Sequence, residues 1–217
     1  MTDSSTPCRI VVLLSGNGSN LQAIINHFQE STSVTIAAVL SNRADAQGLN
    51  RARAAGIPTR VVAKADHVTR EDFDTALATE IEHFQPDFIA LAGFMRILTP
   101  AFVDRYEGRL LNIHPSLLPR YRGLDTHQRA LDAGDPEHGA TVHFVTAELD
   151  GGPSILQARV PIEPGDSPEA LAARVLEREH QIYPMAIQWL CEGRLRWRDH
   201  MAWLDGEPLS TAVVVQA

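Results

Sequence analysis

An amide and an imidazole two residues apart, Asn112 and His114, end the apolar stretch Leu110-Leu111-Asn112-Ile113-His114. Along an extended strand, residues two apart face the same side, so the pair is expected to present a hydrogen-bond donor beside a proton carrier. That combination suits a reaction that builds negative charge on a carbonyl oxygen. Pro115 and Pro119 follow at once and stiffen the loop they open. The chain holds nine histidines, and any one of them taken singly is more often structural or solvated than catalytic. A buried Asn-x-His can also simply satisfy backbone groups, so both readings stand on pattern alone.

Two further clusters carry chemistry. Asp150 precedes Gly151-Gly152; a carboxylate within reach of His114 would favour the imidazolium and fix its tautomer. The alternative is an ordinary turn aspartate before glycine. Thr141 and His143 alternate on the preceding apolar segment and could face the same crevice, although His143 fits equally well as a packed strand residue. Ser15-Gly16-Asn17-Gly18-Ser19-Asn20 joins an apolar strand to a helical pattern. Glycines there let backbone N–H groups approach an anion at a helix N-terminus. Gly16 and Gly18 match the first two glycines of the dinucleotide fingerprint, but Leu21 stands at the third position and Ser41-Asn42 offers no acid for a ribose. A monophosphate cradle fits better, against a tight turn with no ligand.

The elements that must position these groups follow from periodicity. Apolar runs at Ile10–Leu14, Val34–Leu40, Thr59–Val62, Phe88–Ala92, Leu110–His114, Thr141–Val145 and Ile155–Val160 read as strands. Helical patterns fall near 19–28, 46–55, 100–106, 126–133 and 168–190, and another, capped by Thr69 with Asp72 as its acidic partner, carries Phe73, Leu77 and Ile81 and is ended by Pro86-Asp87. The tail after Gly193 holds two further possible strands around Asp205-Gly206. This alternation predicts an α/β fold in three layers: a mainly parallel, twisted sheet of about seven strands with helices on both faces. No repeat or linker interrupts it, so residues 1–217 are expected to be one domain, with 1–8 a flexible extension. Four polar clusters, at 15–20, 93–98, 112–114 and 146–150, fall at strand ends, where such sheets bind ligands.

Composition narrows the class. With 44% apolar and 21% charged residues the chain is ordinary globular sequence, and its net charge of −8 gives no footprint for nucleic acid. The polar start and the short first apolar run fit neither a signal peptide nor a membrane span, so a cytoplasmic location is expected. Cys8 and Cys191 have no zinc-ribbon or framework spacing and are expected as two reduced thiols.

Specific blocks go further. Leu14–Ala23 (LSGNGSNLQA), Ser41–Leu49 (SNRADAQGL), Leu91–Leu98 (LAGFMRIL), Leu110–Pro119 (LLNIHPSLLP), His138–Gly152 and Glu179–Pro184 (EHQIYP) resemble the folate-dependent phosphoribosylglycinamide formyltransferases of purine biosynthesis. The resemblance runs from about Arg9 to the tail and implies that family's fold, with a Rossmann-like N-terminal half. It implies 10-formyltetrahydrofolate as co-substrate, small-molecule substrates, no metal, no nucleic acid and no membrane, with oligomers possible. By the same resemblance, Asn112, His114 and Asp150 match the catalytic trio, and Gly18, Ser19 and Asn20 match the substrate-phosphate site. Arg70, Met95, Arg96, Ile97 and Leu98, together with Asn112, match the folate pocket, and Glu179 falls near the glycinamide end. Departures are the polar extension before Arg9 and Ala140 beside the strand-six site.

Relatives sharing the chemistry are expected to differ in their attachments. A tRNA formyltransferase should add a basic C-terminal domain, and a formyl-folate hydrolase an N-terminal regulatory domain. A non-catalytic folate- or phosphate-binding module on the same fold is the remaining alternative; the presence of all three trio residues weighs against it.

Overall fold

In the first half of the chain, apolar strands with no polar face are buried on both sides, as parallel strands covered by helices must be. The computed structural model describes residues 6–215. Two compact units result, Met1–Leu110 and Leu111–Ala217, and the main sheet counts eight strands among the described residues. Of the extension expected to be flexible, residues 1–5 lie outside the described residues, and Cys8 already opens the first strand.

Unit 1 contains β1 (Cys8–Leu14), α1 (Ser19–Phe28), β2 (Val34–Ser41), α2 (Gln47–Ala54), β3 (Thr59–Val61), α3 (Arg70–Glu82), β4 (Phe88–Leu91) and α4 (Pro100–Arg105). Its strands are parallel, with β1 between β2 and β4 and β3 beyond β2. Val11 to Leu14 are fully buried, and α1 buries Leu21, Ile24, Ile25 and Phe28 along one stripe. Strand order reverses at β1, so the chain leaves β1 and β4 from neighbouring strands on the two sides of a switch point. Thr69 and Asp72 form the expected capping box at the head of α3.

The loop after β1 is shaped by two glycines. Gly18 sits in the left-handed region at φ 75°, and a Cβ on it would meet the Cα of Gly48 at 2.6 Å. Gly48 N–H in turn donates to the Gly16 carbonyl at 3.0 Å. The Arg51 guanidinium donates to the Asn17 carbonyl and side chain, so α2 holds the loop from outside.

Unit 2 carries β5 (Leu110–His114), α5 (Thr126–Asp132), β6 (Glu137–Phe144), β7 (Ser154–Pro161) and α6 (Pro168–Cys191). A small meander of β8 (Leu195–Arg198), β9 (Met201–Leu204) and β10 (Glu207–Pro208) follows, then β11 (Val213–Val215). Here β6 runs antiparallel to both β5 and β7, while β11 lies parallel to β7. The sheet is mainly parallel, as expected from sequence, with β6 as its antiparallel member, and β11 adds an eighth strand too short for periodicity to reveal. Strand β6 begins at Glu137 rather than Thr141. Within the added stretch Gly139 is required, because a Cβ there would lie 2.0 Å from the Ala158 carbonyl oxygen.

Cys8 and Cys191 are both disulfide-bonded, which corrects the expectation of reduced thiols. No helix among the described residues is long and apolar enough to cross a membrane.

Two stability predictions follow. Gly139→Ala must displace the β6–β7 ladder and should cost about 1–3 kcal/mol, read as a lower urea midpoint. The second concerns His138, buried on β6, whose pKa is lowered from 6.5 to about 4 by burial and then by the neighbouring His127. Between those two values the unfolded chain binds the proton and the folded chain does not, so stability falls as pH drops through this window. Thermal melts of the native chain and of His138→Gln at pH 7, 6 and 5 check this: the variant's melting temperature should vary less with pH.

Candidate functional site

Strands β5 and β6 pair so that Asn112 stands opposite His143 and His114 opposite Thr141. The pairing puts an amide, two imidazoles and a hydroxyl on one stretch of ladder, and the side chains settle their own roles. His143 Nδ1 lies 2.8 Å from the Phe144 carbonyl oxygen. A carbonyl only accepts, so Nδ1 carries the proton. Burial holds the ring well below its ordinary pKa, so it is neutral and its Nε2 is an acceptor. Asn112 Nδ2 sits 3.1 Å from that Nε2 and donates to it. This contact fixes which way the Asn112 amide faces and leaves its second N–H available.

His114 is held by a different carbonyl. Its Nε2 donates to the Tyr121 carbonyl at 2.9 Å, and its Nδ1 lies 3.5 Å from Asp150 Oδ2. Both side chains are more than nine-tenths buried. Asp150 adopts φ 47°, a left-handed turn conformation that aspartate tolerates. Its Oδ2 accepts the Gly123 N–H at 2.9 Å, and its Oδ1 is 3.7 Å from His143 Nε2. The carboxylate therefore faces both histidines and ties the loop after β6 to the loop after β5. Arg122 and Glu148 pair between the same two loops.

The Pro-rich loop is braced from beneath. Thr141 Oγ1 donates to the Ser116 carbonyl at 2.6 Å and accepts the Leu118 N–H at 3.0 Å. Gln157 adds bonds to Leu118 and Thr141, and Ser116 Oγ donates to the Arg120 carbonyl. Tyr121 is pinned through its hydroxyl to Asp135, which also receives Arg120. Thr141 thus supports the loop rather than facing the trio; of the two residues on that strand, His143 is the one beside Asn112. The carbonyl of Tyr121 and the N–H of Gly123 are contacts of His114 and Asp150 that sequence reasoning missed. No side-chain type signals them; the Arg122-Gly123 step after the prolines was the nearest clue. Glu179 lies buried on α6.

The remaining candidates belong to unit 1. Gly18 is the N-cap of α1 and makes no side-chain cap bond, Ser19 is the helix's first residue, and Asn20 is buried. An anion at this N-terminus would meet N–H groups that no cap occupies. Residues 92–99 form an irregular segment after β4, in which Met95 and Ile97 are exposed while Leu98 is buried. Arg70, at the start of α3, donates to the carbonyls of Ile97 and Leu98 at 2.8 and 3.4 Å. The Arg96 guanidinium lies over the Phe73 ring at 5.2 Å. Among the described residues no group of three or more His, Cys, Asp or Glu is gathered in a way that could hold a metal ion.

A formyl transferase family model matches residues 8–187. The phosphoribosylglycinamide formyltransferase of Escherichia coli (strain K12) is 58% identical over 201 residues, covering 92% of this chain and 95% of the relative. The structure of the phosphoribosylglycinamide formyltransferase from Coxiella burnetii superposes with a TM-score of 0.91 at 53% identity, covering 95% of this chain and 99% of the other. Glycinamide ribonucleotide transformylase 1 from Symbiobacterium toebii gives 0.90 at 43% identity, covering 94% and 97%. A match that spans most of both partners, at this identity, leaves one assignment: the chain belongs to the phosphoribosylglycinamide formyltransferase family of one-carbon transferases.

Proposed function

We propose that this chain transfers the formyl group of 10-formyltetrahydrofolate to the amine of 5-phosphoribosylglycinamide in de novo purine biosynthesis, giving formylglycinamide ribonucleotide and tetrahydrofolate. The observation that carries the reading is the Asn112–His143 contact: a neutral histidine orients the amide and leaves one N–H for an oxyanion. The amine nitrogen attacks the formyl carbon, the carbonyl oxygen takes the negative charge, and the bond to folate N10 breaks. One proton leaves the amine and one arrives on N10. Asn112 holds the oxyanion and His114 is the proton donor, oriented by Asp150. Both ring nitrogens of His114 are engaged within unit 2. A donated proton therefore leaves as one contact yields, and the 3.5 Å contact to Asp150 is the looser.

In this reading Gly18, Ser19 and Asn20 take the substrate phosphate, and Arg70 with Met95–Leu98 receives the folate. Glu179 belongs to the glycinamide end. The formyl donor is already activated, so positioning and charge stabilisation suffice and the scheme calls for no metal. The family match runs through both units from residue 8 to 187, which supports treating residues 1–217 as one functional domain. The expected setting is cytoplasmic.

Mixing the chain with 10-formyltetrahydrofolate should give tetrahydrofolate only when phosphoribosylglycinamide is present. Amine-independent release would instead indicate a hydrolase. Asp150→Asn keeps the size and most hydrogen bonding of the side chain and removes its charge. Its turnover should fall at least about a hundredfold, with both substrates bound within a few-fold of the native chain. A defect confined to substrate affinity would make Asp150 a turn residue and require another partner for His114.

A further inference from the structure

The buried hydroxyl of Ser15 is used by neither the trio nor the anion cradle, yet it stands between two elements the proposed function employs. Ser15 is 5% exposed and immediately precedes the Gly-rich loop. Its N–H donates to the Gly93 carbonyl at 3.0 Å. Its Oγ accepts the Met95 N–H at 2.8 Å and donates to Asn42 Oδ1 at 2.6 Å. One residue at the end of β1 thus grips the segment after β4 at two points and is itself oriented from the end of β2.

The two elements it touches are held very differently. The Gly-rich loop has independent supports: the close approach of Gly18 to Gly48, the Gly48–Gly16 bond and the Arg51 bonds to Asn17. Residues 92–99 have no ladder of their own. They hang from Ala92 on the Leu13 carbonyl, from the two Ser15 contacts, from Arg70 on the carbonyls of Ile97 and Leu98, and from Thr99 N–H on Asp74. Between Ala92 and Ile97, the backbone hydrogen bonds to the rest of unit 1 among the described residues are those of Ser15, and the one side-chain tie named above is the Arg96 guanidinium over the Phe73 ring. With Met95 and Ile97 exposed, this stretch presents its surface only if its backbone is fixed.

We infer that Ser15 is a positioning residue for the folate-type co-substrate: its hydroxyl sets the backbone of residues 93–97 on which that ligand lies, although Ser15 belongs in sequence to the phosphate loop. The inference rests on the proposed function for the identity of the ligand. It assigns the motif's leading serine to the co-substrate and the residues after it to the phosphate. Asn42 is the group that points the hydroxyl's lone pair at Met95.

The test uses the full chain, with tetrahydrofolate and phosphoribosylglycinamide titrated separately and amide exchange followed at Met95. Ser15→Ala should weaken tetrahydrofolate about 5- to 15-fold, as expected for the loss of one or two net hydrogen bonds. Phosphoribosylglycinamide affinity should stay within about twofold, and Met95 exchange should accelerate while the melting temperature barely moves. Asn42→Ala should give a smaller loss in the same direction, and Asn42→Asp, which keeps an acceptor oxygen, should restore affinity. The Asn42 pair also decides the matter should Ser15→Ala fold poorly. Equal weakening of both ligands, or unchanged Met95 exchange in Ser15→Ala and Asn42→Ala, overturns the inference. Failure of the unmodified chain to bind tetrahydrofolate overturns the functional reading and this inference with it. Unaltered tetrahydrofolate affinity in both variants overturns this inference alone.

Discussion

A backbone carbonyl can accept a hydrogen bond and never donate one. In unit 2 that asymmetry assigns protons on both imidazoles of the site, through Phe144 to His143 and through Tyr121 to His114. Everything downstream depends on it. Because His143 Nδ1 is protonated and burial keeps the ring neutral, Nε2 must accept, and the Asn112 amide can face only one way. Because His114 Nε2 is protonated, its other nitrogen is the one turned to Asp150. Main-chain atoms, which no substitution removes, therefore set which ring nitrogen of each imidazole carries its proton.

This arrangement explains why so much support converges on one loop. The Tyr121 carbonyl is useful only if residues 115–123 hold their path, and Thr141, Gln157, Ser116, Asp135 and Asp150 each bond that path from a different direction. A buried polar network is advantageous only when fully connected. Here the connections lead from the strands outward, so rigidity originates in the β6–β7 ladder and is passed to the imidazole.

The sequence made the β5 pair and the glycine loop legible because each rests on a local rule, alternation in one case and backbone freedom in the other. Asp150 was visible as a candidate, but its choice between turn and partner was a question of distance, which no spacing encodes. The Tyr121 carbonyl was invisible for a deeper reason: every residue has one, and only the folded path selects it. The start of β6 at Glu137 was hidden as well, because Gly139 marks a point where two strands come too close for any side chain, which is a matter of packing. The direction of β6 was equally hidden, since an apolar run reads the same whichever way it pairs. For Arg70 and Met95–Leu98 only the family resemblance offered candidate roles, which their residue types alone would not suggest.

The outermost strands of the main sheet, β3 and β11, each count three of the described residues. A short border offers few unpaired amides for a second molecule to copy, which guards against edge-to-edge aggregation. On the β11 side the protection is thin, because the strand beneath is the eight-residue, mostly buried β7. Anything that peels away Val213–Val215, such as a nick in the preceding turn or a fusion that pulls on this strand, would replace a three-residue border with a long apolar one. Colloidal behaviour, and not chemistry, would then be the first property to suffer.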